Sequence, residues 1–71
     1  MKMLNYPRWA RELAVEMALA GVQQTDIARH YGVSRQYVGN VLSGKAKSEE
    51  AATAYIREAM AAICAERGTT G

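Results

Sequence analysis

Apolar residues along this chain recur every three or four positions and show no strand-like alternation, so the pattern predicts helices from end to end. Trp9, Leu13, Met17 and Ala20 share one face of a helix over Arg8 to Ala20, with Ala10 and Ala14 at its margin and Arg8, Arg11, Glu12 and Glu16 elsewhere. Pro7 suits its first turn, where a missing N–H costs nothing, and Gly21 closes it. A second helix is expected from about Gln24 to Tyr31, with Gln23 near the cap position, Asp26 complementing the dipole, and Ile27 and Tyr31 on the buried side. A third runs from Arg35 to Ser43 behind Ser34 as N-cap, with Val38, Val41 and Leu42 as its buried stripe. Ser48 caps a fourth, and Glu49 and Glu50 favour its dipole; no Gly or Pro interrupts Ala51 to Arg67, where Ile56, Ala59, Met60 and Ile63 make one apolar stripe.

The spacing between the second and third helices is steric as well as hydrophobic. Ala28 is small where two helices must cross closely, Gly32 stands where a tight turn needs φ > 0, and Val33 is expected to plug that turn. Gly44 is the expected left-handed residue after the third helix. The class is therefore all-α: a compact bundle of four helices, or five, containing a helix-turn-helix and ending in a long C-terminal helix. Residues 1–67 form the single domain, with helix 48–67 at its end and 68–71 as a disordered tail.

Composition narrows the chemistry. Seventy-one residues support one core and leave little room for a catalytic cleft, so no enzyme is expected. One cysteine and one histidine exclude a disulfide framework and a Cys/His zinc cluster, and no cofactor or small-molecule site is visible. No apolar run reaches the roughly 20 residues of a membrane span, and Met1 to Tyr6 lacks the apolar stretch of a signal peptide, so a reducing, cytoplasmic setting is expected.

Charge then separates one segment from the rest. From Ile27 through Ser48 the chain carries Arg29, Arg35, Lys45 and Lys47 and no carboxylate, a charge of +4 in a chain whose net charge is +2. All seven acidic residues lie outside that window, which leaves one positive patch on a near-neutral body. Turned away from the buried stripe of the third helix are Arg35, Gln36, Gly39, Asn40 and Ser43.

Gln24, Ile27-Ala28, Tyr31-Gly32-Val33-Ser34, Val38, Val41 and Gly44 fall, without insertion, in the register of a known family. The segment resembles the helix-turn-helix of the phage repressor and Cro group, the XRE family. By that resemblance Gln24 would bond a phosphate, Ser34, Arg35, Gln36 and Asn40 would face the major groove, Tyr37 would flank it, and Lys45 and Lys47 would run beside the phosphates. The family domain usually packs five helices where this chain has room for four, so its dimer geometry does not transfer.

The expected function is a sequence-specific DNA-binding regulator, a phage or mobile-element repressor of bacterial or phage origin that inserts helix 35–43 in the major groove of a palindromic operator. Arg35 would pair with guanine and Gln36 or Asn40 with adenine, beside Gly39. Phosphates would fall to Gln24, Thr25, Ser34, Tyr37, Ser43, Lys45 and Lys47. Each good bidentate pair discriminates by about 1 to 3 kcal/mol, too little for one small domain, so a homodimer is expected through Tyr55, Ile56, Ala59, Met60 and Ile63. Two other readings compete. One is a helical protein-interaction module using helix 48–67 without specific DNA binding, as an antirepressor would; the other is a sequence-tolerant accessory factor for excision or recombination. The plain readings of His30 and Cys64, as a surface histidine and a small apolar helix residue, outweigh a ligand, switch or nucleophile. Tyr37 stands evenly between phosphate contact and packing.

Overall fold

The computed structural model describes residues 6–69 as four helices: α1 (Arg8–Ala20), α2 (Gln24–Tyr31), α3 (Arg35–Leu42) and α4 (Glu49–Thr69). Expectations for residues 1–5 and 70–71 lie outside these described residues.

The caps follow from local chemistry. Pro7 sits at the N-cap of α1, one position ahead of the expected first turn, and its carbonyl accepts from Ala10 and Arg11. At the start of α2 the Gln23 N–H donates to Asp26 Oδ2 at 2.8 Å. Gly32 takes φ +69°, a left-handed conformation that residues with a Cβ rarely adopt, and lets the Val33 N–H reach back to the Ala28 carbonyl at 2.9 Å. Ser34 Oγ then accepts the Tyr37 N–H at 3.1 Å and starts α3. Gly44, at φ +83°, turns the chain out of α3 next to Trp9 and Pro7, which a Cβ there would meet at ordinary distances of 3.7 and 3.9 Å, so it is the left-handed backbone that favours glycine. Ser48 Oγ accepts weakly from Ala51 at the head of α4.

α4 lies against α1 and α2, and α2 packs on α3. Leu13, Ile27, Val38, Val41, Leu42 and Ile56 are the large side chains at the centre of the core. Trp9 is half-buried and packs on that core. A bidentate ion pair from Arg57 to Glu16, with its shorter arm at 2.8 Å, ties α4 to α1 on the surface.

Four expectations are corrected. Ala20 is exposed while Ala10 is fully buried, because the chain doubles back at Gly21 and Val22 enters the core instead. Val33 does not plug the turn but keeps 36% of its surface exposed; Tyr31, stacked on Tyr55, seals that end. α4 continues through Gly68 to Thr69 where a disordered tail 68–71 was expected, because Arg67 anchors its last turns by donating to the Gly21 carbonyl at 2.7 Å. The apolar stripe expected to join two copies is consumed internally: Ile56, Ala59, Met60 and Ile63 are buried and Tyr55 is half-buried, because α4 spans two neighbouring helices. Val15 and Leu19 of α1, 56% and 84% exposed, are the most exposed large apolar side chains among the described residues.

Candidate nucleic-acid interface

With Val38, Val41 and Leu42 fixed in the core, the roughly 100° step per residue sends Gln36, Gly39, Asn40 and Ser43 to the opposite side of α3. Arg35 and Gln36 are exposed; Gly39, Asn40 and Ser43 are half-buried. These five line one open concavity of about 390 Å³ together with Gln24, Lys45 and Tyr6. No carboxylate lines it. Arg35 and Lys45 therefore make it electropositive, and amide donors and acceptors lie between them.

Each wall of this concavity has its own support. Gln24 opens α2, and its Oε1 lies 3.7 Å from where a Cβ on Gly39 would stand, an ordinary contact distance, so the two residues are neighbours across α2 and α3. The backbone carbonyl of Asn40 accepts from Lys45 N at 3.0 Å, from Ala46 N at 3.3 Å and from Ser43 Oγ at 3.0 Å. These bonds hold the loop carrying Lys45 against the end of α3, while the Asn40 amide stays on the outward side. Tyr6 enters because the loop at Gly44 rests on Pro7 and Trp9.

The structure thus brings Gln24, Arg35, Gln36, Gly39, Asn40, Ser43 and Lys45 together, as the sequence pattern requires of one surface. Thr25 is exposed in the first turn of α2, beside rather than within the concavity. Ser34 is exposed; its oxygen accepts the cap bond, so its proton stays available to an acceptor outside. Ser43 differs, because its one proton is committed to the Asn40 carbonyl and a phosphate contact would have to break that bond. Tyr37 and Lys47 lie apart from the concavity, around Tyr55: the Tyr37 ring meets Tyr55 edge-on at 6.2 Å, and Lys47 Nζ stands 4.9 Å over the Tyr55 ring. Arg29 is placed elsewhere altogether, 4.0 Å from Asp26 in a second concavity that also includes Glu66 and Arg67. It does not line the concavity around α3. Tyr6 is the lining residue that sequence reasoning missed, and no local signal marks it, since only the tertiary path of the Gly44 loop brings it there.

Titration sharpens the contrast between the faces. The Asp26 carboxyl is held below its ordinary range by the Gln23 N–H and then by the charges of Arg67 and Arg29. Glu16 is lowered by its hydrogen bonds from Arg57. Burial raises the phenols of Tyr31 and Tyr55, with further contributions from Glu58 to the first and from Tyr37 and Tyr31 to the second.

No family model, curated protein or solved structure matches the chain. None of the helices of the described residues is long and apolar enough to cross a membrane.

Proposed function

We propose that this chain is a sequence-specific DNA-binding regulator that lays α3 in the major groove, in the manner of the repressor helix-turn-helix its sequence resembles. The observation that carries the reading is the carboxylate-free concavity that gathers one guanidinium, one ammonium and three side-chain amides around a glycine. An Arg fork matches guanine O6 and N7, and an Asn or Gln amide matches adenine N6 and N7, so Arg35, Gln36 and Asn40 are the base-reading set. Gln24 and Lys45 hold phosphates at the rim and set the register of the helix.

The body measures 37 × 23 × 21 Å, enough to cover one half-site. Two or three bidentate pairs at about 1 to 3 kcal/mol each leave too little discrimination for a genome, so the reading includes a homodimer on a palindrome with half-sites about 34 Å apart. Occupying such a site where polymerase must bind represses without any chemistry. The interaction-module alternative draws no support from α4, whose apolar stripe is spent in the core.

Selection of bound fragments from a random DNA pool tests this directly. Enrichment of a palindromic motif is the expected result. A pool that stays random after repeated rounds would count against sequence-specific binding, and a motif without dyad symmetry would count against the dimer.

A further inference from the structure

On the flank of α3 away from Gln24 lies a cluster that the groove contacts do not use. Tyr37 and Gly39 stand roughly 160° apart around the helix, at about 100° per residue. Gly39 faces Gln24, whereas Tyr37 leans edge-on against Tyr55 of α4, with ring centroids 6.2 Å apart and planes at 79°. The Tyr55 ring stacks on Tyr31 at 4.0 Å and 17°, and the Tyr31 hydroxyl donates to the Tyr55 carbonyl at 2.7 Å. Tyr55 is thus locked in place on one face of its ring. The other face is left for Lys47, whose ammonium lies 4.9 Å from the ring centre. Lys47 belongs to the short connection between α3 and α4, which leaves α3 through a left-handed glycine.

We propose that Tyr55 is a positioning residue that sets Lys47 and Tyr37 against the DNA phosphates on the flank of α3 opposite Gln24, so that backbone contacts to both strands straddle the helix. This rests on the DNA-binding reading above. A helix seated in the major groove has a phosphate strand on each side, and one wall is already supplied by Gln24 and Lys45. An ammonium and a phenol, both hydrogen-bond donors, meet the second strand as sequence-independent contacts. A ring already stacked on Tyr31 of α2 fixes where the Lys47 ammonium stands before DNA arrives, which lowers the ordering needed on binding.

The test compares wild type, Tyr55→Phe, Tyr55→Leu, Lys47→Ala and the Tyr55→Leu/Lys47→Ala double variant on a selected fragment and on random DNA, each across a salt series. Tyr55→Phe keeps the ring and is expected to bind within about twofold of wild type, whereas Tyr55→Leu weakens binding about tenfold on both DNAs alike and flattens the salt dependence by about 0.9 in log–log slope for each phosphate left unneutralised. The double variant is expected to bind no more than about twofold more weakly than Tyr55→Leu, since both changes remove the same interaction. In the DNA-free protein, ring shielding of the Lys47 side-chain protons, read by NMR, should persist in Tyr55→Phe and vanish in Tyr55→Leu. A folded Tyr55→Leu that binds like wild type, or effects that multiply in the double variant, would overturn the proposal. Should Tyr55→Leu not fold, Lys47→Ala decides: about tenfold weaker binding on both DNAs supports the clamp, and binding like wild type refutes it. Wild type that binds neither DNA removes the DNA-binding reading itself, and that arm is read before any variant.

Discussion

Gly39 stands in the middle of α3, where alanine would serve an isolated helix better by about 0.5–1 kcal/mol. Nothing inside the protein forbids the change, since the added Cβ would meet only Gln24 Oε1 at an ordinary 3.7 Å. A missing side chain on the outward face therefore serves an approach from outside. Gly39→Ala is expected to raise the thermal midpoint while weakening binding to the selected DNA; a variant both more stable and equally tight would remove Gly39 from the interface. Gln36 and Asn40 were legible at this scale because the helical step fixes which side chains oppose Val38, Val41 and Leu42, whereas Arg35, seven residues before Leu42, is exposed only because it opens α3. Ser43 and Arg29 were misjudged although their partners, the Asn40 carbonyl and the Asp26 carboxylate, each stand three positions earlier in the chain, a local contact that sorting residues by face and charge leaves out. Titration belongs to this scale too. Asp26 and Glu16 keep their charge to lower pH in the folded chain than in the unfolded one, so their contribution is present above their ordinary values of 3.8 and 4.5 and fades as pH falls through the lowered ones. Tyr31 and Tyr55 work in the opposite sense: their raised phenols favour the fold below the ordinary value of 10.0, and that contribution fades as pH rises through the raised ones. Urea midpoints measured across pH should decline on both the acid and the alkaline side, and a flat acid limb would contradict the Asp26 and Glu16 contacts.

Among the elements, α2 and α3 follow their sequence closely because cap, turn and stripe all agree: Asp26 at the first turn, Gly32 at φ +69°, Ser34 on the Tyr37 N–H. Local consistency of that kind is readable without a structure. The end of α4 is not, because the bond that extends it joins Arg67 to Gly21, 46 positions away. Arg67 also lies 3.4 Å from Asp26, so the last turn of α4 is fastened to the first turn of α2, next to Gln24. Arg67→Ala is expected to speed amide exchange over residues 64–69 while lowering global stability by less than about 1 kcal/mol, since the guanidinium is half exposed. Unchanged exchange there would mean the anchor is incidental.

For the molecule as a whole, the long fourth helix is a core element, and its sequence misleads because a stripe wide enough for a partner is also wide enough for two neighbours. Which of these applies depends on both α1 and α2 packing against it, a fact of packing that no single segment encodes. Ile56→Ala should therefore lose about 2–5 kcal/mol, a large share of what a domain of this size has, and Ile63→Asp should unfold the chain rather than merely separate copies. A folded Ile63→Asp that is monomeric where wild type is a dimer would restore α4 as an interface. The central claim, that α3 reads bases through Arg35, is tested most directly by the ratio of affinities for selected and random DNA in wild type and Arg35→Ala at one salt concentration. Removing a bidentate guanine pair predicts that this ratio falls by roughly 5- to 150-fold while random-DNA binding changes far less. An unchanged ratio would contradict the account.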